Sequence, residues 1–156
     1  MAGSIDAVLA ARGIVLPAVT SAVGNYVPFV VDHGVVTISG QVPMVDGVVR
    51  HKGKLGVDLD VAQGAAAARV CALNVVAQLR AACGGDLDRV ERCIRIAGYV
   101  ASSSDFVDHP KVINGASDLI GEIFGDRGRH ARAAVGCPSL PLGAAVEVEA
   151  TFRLKP

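Results

Sequence analysis

The sequence has few aromatic residues and no surplus of charge. It contains no tryptophan, two tyrosines and four phenylalanines among 156 residues. So few rings argue against a platform that stacks single-stranded bases. The 15 basic and 15 acidic residues give a formal net charge of zero, and no dense run of lysine or arginine occurs. We therefore expect no nucleic acid as a partner.

Motifs for metals, cofactors and covalent catalysis are also missing. Cys71, Cys83, Cys93 and Cys137 form no C-x-x-C pair and have no histidine at zinc-ligand spacing. They are predicted to be buried free thiols in a reducing compartment. The chain has no phosphate-binding G-x-x-x-x-G-K-[ST] loop, no G-x-G-x-x-G turn, no H-E-x-x-H and no G-x-S-x-G. We expect neither a metal nor a cofactor.

A membrane span is not predicted. The most apolar run, residues 65–83, is interrupted by Arg69, Asn74, Gln78 and Arg80, which indicates a core helix. The first residues lack the basic start and the long apolar stretch of a signal peptide. These patterns predict a cytoplasmic protein without membrane contact.

The residues that are abundant are small and apolar. Hydrophobic residues make up 51% of the chain and charged residues 19%, and the length suits one domain, predicted as 1–156. Alanine, valine and glycine supply most of the apolar content, so each residue adds little side-chain volume to the core. This composition indicates that some surface is buried against another subunit.

The periodicity predicts three helices, at 4–14 with Ser4 as N-cap, at 60–85 and at 110–125. Strands are predicted at 34–43, 90–102, 131–138 and 144–154. Asp46-Gly47 predicts a hairpin turn between the strand at 34–43 and "GVVRHKGKLG" (47–56), and "SLPLG" (139–143) is predicted to join the last two strands as a hairpin. Strands followed by helices on one face favour an α+β domain with one mixed sheet and two main helices.

The last two predicted strands carry an arginine and two glutamates. Alternation places Glu147 and Glu149 on one face, and the predicted hairpin places Arg132 roughly opposite them. A small ligand could then lie between guanidinium and carboxylate, and the guanidinium fork suits a ligand carboxylate. The alternative is a cross-strand salt bridge on a solvated face, which stabilises by about 0–1 kcal/mol.

Several motifs in register resemble those of the RidA (YjgF-like) family of reactive-intermediate deaminases. "GNYVPFVV" and "VVTISGQVP" are similar to the family's tyrosine loop and its S-G-Q strand end. "KVINGASDLIGEIFG" resembles its second helix with an asparagine. "ARAAVGCPSLPLGAAVEVEATF" resembles its C-terminal signature and is the most specific part. The resemblance covers residues 14–153.

The resemblance implies a chorismate-mutase-like fold and a homotrimer whose sheets form a central barrel, with clefts between subunits. It also implies hydrolysis of enamines and imines such as 2-aminoacrylate to 2-keto acids and ammonia, without a cofactor. The site residues it implies are Arg132 as the clamp for the substrate carboxylate, Glu147 as the partner of the attacking water, and Tyr26, Ser39, Gly40 and Asn114 as cleft residues.

The sequence also departs from the family pattern. It carries an additional N-terminal helix (1–13), a longer hairpin around 45–54 and "GRHA" before Arg132, which indicate a longer branch of the family. No role follows for Arg129 and His130. A non-catalytic trimer that binds small carboxylates, or a chaperone-like module, is the alternative function. The ribonuclease activity once attached to relatives is disfavoured by the neutral charge and few aromatic residues.

Overall fold

The computed structural model describes residues 3–156, in which five strands form one sheet. The strands of this sheet are β1 (Phe29–Asp32), β2 (Val35–Gln41), β5 (Val90–Ala101), β6 (Ala131–Cys137) and β7 (Val146–Leu154). Their order is β1-β2-β7-β5-β6, and only the β5–β6 pair is parallel. The predicted mixed sheet is confirmed.

Two long helices cover one face of the sheet. They are α2 (Val61–Ala82) and α3 (His109–Phe124), and both match the predicted positions closely. α2 lies over β7 and β2, and α3 lies over β5 and β6. Asp60 caps α2 through a reciprocal capping box with Gln63, which satisfies the free amide groups of the first turn.

Glycines let the two helices approach closely. A Cβ at position 115 of α3 would overlap the Ala65 carbonyl oxygen of α2, and one at Gly64 of α2 would lie 3.1 Å from Val112 Cγ1 of α3. One hydrophobic cluster runs from the helices to the covered face of the sheet, where Ile38, Ile96, Val148 and Phe152 are buried. The opposite face, called the open face below, has no element over it among the described residues.

The N-terminal helix is α1 (Ser4–Ala11), inside the predicted range. Its N-cap is Gly3, so the prediction of Ser4 as N-cap is wrong. The Ser4 amide and hydroxyl both donate to the Asp88 carboxylate, each at 2.6 Å, so the serine side chain fastens the helix to the rest of the fold. Ile5 and Leu9 are buried beneath it.

The predicted turn at Asp46-Gly47 is confirmed, and both residues have positive φ. It joins two short strands, β3 (Met44–Val45) and β4 (Val48–Val49), which form a separate two-stranded ribbon. The predicted strand at 34–43 is β2, and it does not take part in this hairpin, so the expected pairing across Asp46-Gly47 is wrong. It pairs instead with β1, through a turn at His33-Gly34, and with β7.

The predicted hairpin between β6 and β7 is wrong. β5 lies between these strands, pairing parallel with β6 and antiparallel with β7. Residues 138–145 carry the chain past the end of β5, with a short 3-10 turn at Pro141–Gly143 and a positive φ at Leu142. Arg132 is therefore not opposite Glu147 and Glu149.

All four cysteines are free thiols, as predicted. Cys71, Cys83 and Cys93 are buried, whereas Cys137 is half-buried. Burial raises the pKa of the Cys93 thiol to about 12 and also raises that of Cys71, so both are held as neutral thiols at ordinary pH. None of the helices formed by residues 3–156 is long and apolar enough to cross a membrane.

Candidate functional site

Arg132 lies on the covered face, at the edge of the sheet beside α3. It pairs in register with the buried Ile96, and directly paired residues point to the same face of a sheet. Its Nη1 donates to Asn114 Oδ1 at 2.8 Å and to Ser117 Oγ at 3.1 Å, and its Nη2 donates to the Pro110 carbonyl at 3.3 Å. Three oxygens of α3 therefore fix the guanidinium.

Arg132 keeps its charge available for a ligand. Among residues 3–156, no carboxylate forms an ion pair with it, and its neutral acceptors leave the positive charge uncompensated. The side chain is half-buried, so water screens it less than a fully exposed one. A half-buried, oxygen-anchored guanidinium of this kind is suited to bind a carboxylate through charge-assisted hydrogen bonds.

Ser117 and His130 extend this arrangement, and no pattern in the sequence indicated either. Ser117 Oγ lies 2.9 Å from His130 Nε2, and His130 Nδ1 lies 2.6 Å from the Gly128 carbonyl oxygen. A carbonyl can only accept, so Nδ1 donates, and in neutral imidazole Nε2 then accepts the serine proton. The serine lone pairs are thereby turned toward Arg132. The i, i+3 spacing of Asn114 and Ser117 on a helix is the signal that could have identified Ser117.

Glu147 lies on the open face, at the wall of a cavity of about 340 Å³. Tyr26 and Gly40 line the same cavity, together with Pro141 and Leu142 from the turn before β7. A β-bulge between Ile38 and Gln41 brings Gly40 beside the glutamate, and a Cβ at position 40 would overlap the Glu147 carboxylate. Glycine at this position is what makes room for the carboxylate.

The cavity favours the protonated form of Glu147. Burial raises the pKa of its carboxyl group above the usual value, and the negative charge of Glu149 raises it further. No protein hydrogen bond to the Glu147 carboxylate occurs among the described residues. A half-buried carboxylate without donors is a stronger base than an exposed one.

Glu149 has partners of its own. It accepts a hydrogen bond from Tyr99 Oη at 3.2 Å, and its carboxylate lies 3.7 Å from Arg95 Nη1. Burial and the charge of Glu149 both raise the pKa of Tyr99, so the phenol stays protonated and donates. The Glu149 carboxylate is therefore engaged in contacts that stabilise the open face.

The predicted site residues fall into two groups. The glutamate group joins Tyr26, Gly40 and Glu147 at one cavity, with Ser39 next to it, where the serine hydroxyl donates to the Val27 carbonyl at 2.7 Å. The arginine group joins the predicted Arg132 and Asn114 with Ser117, which was not predicted.

The two groups lie on opposite faces of the sheet within one chain. Glu147 pairs with Tyr99, and Tyr99 pairs with Val135, three residues along β6 from Arg132. Because side chains alternate along a strand, an odd separation places Arg132 and Val135 on different faces. The structure does not bring Arg132 and Glu147 of one chain together.

Comparisons with known proteins identify the family that has this architecture. Residues 6–152 match the family model described as "YjgF/chorismate mutase-like, putative endoribonuclease". The chain belongs to the YjgF family. This confirms the resemblance found in the sequence motifs, and the α+β sheet with its two covering helices is the fold of that family.

Relatives of this YjgF-family chain match over nearly their whole length. Protein TCP17 of Trypanosoma cruzi is 48% identical over 153 residues, which is 97% of this chain and 95% of that protein. Protein Atu1372 of Agrobacterium tumefaciens, of unknown function, superposes with a TM-score of 0.90 at 44% identity, covering 97% of this chain and 92% of its own. A Shewanella oneidensis protein named as a putative endoribonuclease superposes with a TM-score of 0.93 at 38% identity, covering 97% and 100%.

The described part of the chain offers no ready metal centre. Within residues 3–156, no three side chains of His, Cys, Asp or Glu are grouped so that they could hold a metal ion. The chemistry available at the two groups is therefore that of a fixed cation, a basic carboxylate and a phenol.

Proposed function

We propose that this protein hydrolyses reactive enamines and imines of the 2-aminoacrylate type to 2-keto acids and ammonia. The observation that carries the proposal is the pair of complementary groups, an anchored guanidinium without a carboxylate partner and a half-buried carboxylate at a cavity. Membership of the YjgF family supports it, because the sequence motifs that resemble the deaminases contain Arg132 and Glu147.

The proposed reaction needs only the groups that this chain supplies. The enamine first takes a proton from solvent at C3 to become the iminium ion, whose C2 is electrophilic. Arg132 would hold the substrate carboxylate, so that C2 is fixed next to a water molecule. Glu147 would accept a proton from that water as its oxygen bonds to C2.

In the second half of the reaction, the proton moves from Glu147 back to the intermediate. The tetrahedral intermediate carries a hydroxyl and an amino group on C2. Glu147 would return its proton to the nitrogen, the C2–N bond breaks with its electron pair leaving on ammonia, and the C2 hydroxyl gives its proton to the Glu147 carboxylate as the C2–O bond becomes a carbonyl. A carboxyl group with a raised pKa suits both steps, because the carboxylate is a stronger base toward the water and the protonated group then supplies the proton to the nitrogen.

We also propose that two chains complete each site, in a homotrimer. Arg132 and Glu147 of one chain face opposite sides of the sheet, so a site that uses both needs the arginine of a neighbour. The open face supports an assembly, because Val30 and Val135 are 53% and 47% exposed there. A ring of head-to-tail contacts closes with three equivalent clefts.

The test is an assay of 2-keto acid formation from 2-aminoacrylate that is generated in situ by dehydration of serine, with the uncatalysed hydrolysis subtracted. We expect wild type to accelerate the reaction and Arg132→Ala to lower kcat/KM by about a hundredfold or more, since it removes charge-assisted bonds to the substrate. Arg50→Ala, an exposed arginine away from both groups, should behave as wild type. No acceleration by wild type, or full activity of Arg132→Ala, would refute the proposal.

The same preparation separates the other functions. Binding of a 2-keto acid without turnover would indicate the carboxylate-binding module. RNA cleavage that depends on Glu147 would favour the activity in the family description.

A further inference from the structure

A second group of cations lies beside the start of β6, and neither Arg132 nor Glu147 belongs to it. Arg92, Arg129, His130 and Arg153 line an open cleft of about 570 Å³, together with Ile94 and Ala131. We call it the arginine cleft. No carboxylate lines it, although the whole chain has a net charge of zero. The concentration of three guanidinium groups is therefore a local feature and does not reflect a generally basic surface.

The arrangement of Arg92 and Arg153 is costly for the fold. They occupy directly paired positions of the antiparallel strands β5 and β7. Like charges at such positions repel and destabilise the sheet. Among residues 3–156, neither arginine forms an ion pair that would relieve the repulsion.

The third arginine is only loosely held. Arg129 Nε lies 3.4 Å from Asp126 Oδ1, and the two side chains are 83% and 97% exposed. A pair this exposed contributes about 0–1 kcal/mol, so Arg129 is free to turn toward a ligand. His130 is fixed by Ser117 and Gly128 on the wall of the cleft.

We propose that the arginine cleft binds a compact polyanion with two or three phosphoryl groups. Each guanidinium fork matches two oxygens of one phosphoryl group, and the bound anion would cancel the repulsion between Arg92 and Arg153. The cleft has no phenylalanine, tyrosine or tryptophan on which a base could stack, and its one histidine ring is held by Ser117 and Gly128, so the recognised part of the ligand is its phosphates. The cleft lies at the end of the open face where β5 and β6 begin, whereas Glu147 lies toward the opposite end of β7. It contains neither Arg132 nor Glu147, so binding of a polyanion there does not require the proposed deaminase activity.

The test measures binding of inorganic tripolyphosphate to the full chain by calorimetry at low salt, without substrate. We expect saturable binding with one site per chain, and a Kd that rises about tenfold or more in Arg92→Gln and in Arg153→Gln, since each removes charge-assisted bonds. Arg50→Gln removes the same charge from an exposed position outside the cleft and should leave Kd unchanged.

A second measurement follows the fold itself. Without ligand, Arg92→Gln should melt at a higher temperature than wild type, because it removes the like-charge pair. Tripolyphosphate should raise the Tm of wild type but not that of the variant.

Absence of saturable binding, or equal Kd values for wild type and both cleft variants, would overturn the proposal. It would also be overturned if a single-stranded RNA oligonucleotide bound more tightly than tripolyphosphate with the same dependence on Arg92 and Arg153, since the cleft would then be part of an RNA surface.

Discussion

Glu147 combines its proposed role in catalysis with a cost in stability. Its position in the cavity raises its pKa above the value in the unfolded chain. A group with a raised folded-state pKa contributes most to stability below its unfolded pKa, and that contribution is lost as the pH rises through the folded value. At neutral pH the ionised Glu147 therefore destabilises the fold.

The variant Glu147→Gln tests this trade-off. We expect a higher Tm than wild type at about pH 7 and no difference near about pH 4, where the wild-type carboxyl is also protonated. Its deaminase activity should fall by about 10²–10⁴-fold, the usual contribution of a general base. Glu149→Gln is the matched control, because it loses its bonds to Tyr99 and Arg95 and should gain no stability. A lower Tm for Glu147→Gln at neutral pH would contradict this account.

Ser117 is expected to act as a positioning residue for Arg132. Ser117→Ala removes one of the three oxygens that hold the guanidinium, so we predict a KM that rises by up to about tenfold, with kcat changed by less than about twofold. Ser117→Thr keeps the hydroxyl and should restore KM. A lower kcat or a lower Tm with unchanged KM would show that the hydroxyl serves only the fold.

The residue types of the site could be predicted from the sequence, but their geometry could not. Arg132 and Glu147 stand in a specific motif, and Tyr26 and Gly40 are indeed at the same cavity as Glu147. The expected approach of Arg132 to Glu147 within one chain is wrong, because alternation determines faces only after the strand partners are known. Ser117 and His130 were missed because their contacts join α3 to the start of β6.

Helices and their ends were the most predictable elements. α2 and α3 follow from alanine-rich and amphipathic stretches that end near Gly84 and Gly125, whose positive φ values suit glycine. The order of the strands was less predictable. The short segment "SLPLG" suggests a hairpin, yet β5, which is longer than β6 and β7, lies between them.

Two glycines of α3 should respond to alanine in opposite ways. Gly121 is exposed and has open space around its Cβ position, so Gly121→Ala should raise the free energy of unfolding by about 0.5–1 kcal/mol. At Gly115 the new methyl group would overlap the Ala65 carbonyl oxygen, and the substitution should lower it. Denaturant unfolding measures both, and a stabilised Gly115→Ala would show that α2 and α3 are not packed this closely.

At the scale of the whole molecule, one chain carries Arg132 and Glu147 on opposite faces of its sheet, so the proposed site needs two chains. Composition alone pointed to burial against another subunit, and the exposed Val30 and Val135 on the open face agree with that interpretation. The assembly could not be derived from the pattern of one chain, because the positions of neighbours depend on surface shape. Size-exclusion chromatography with light scattering should give three chain masses.

The most direct test of the account is activity in mixed assemblies of Arg132→Ala and Glu147→Gln. Each variant alone should be inactive as a deaminase, since every cleft lacks either the guanidinium or the carboxylate. After unfolding and refolding together in equal amounts, random trimers should recover about a quarter of wild-type activity, because one cleft in four receives both intact residues from its two chains. Activity no greater than that of the separate variants would contradict the claim that Arg132 of one chain and Glu147 of another form the deaminase site.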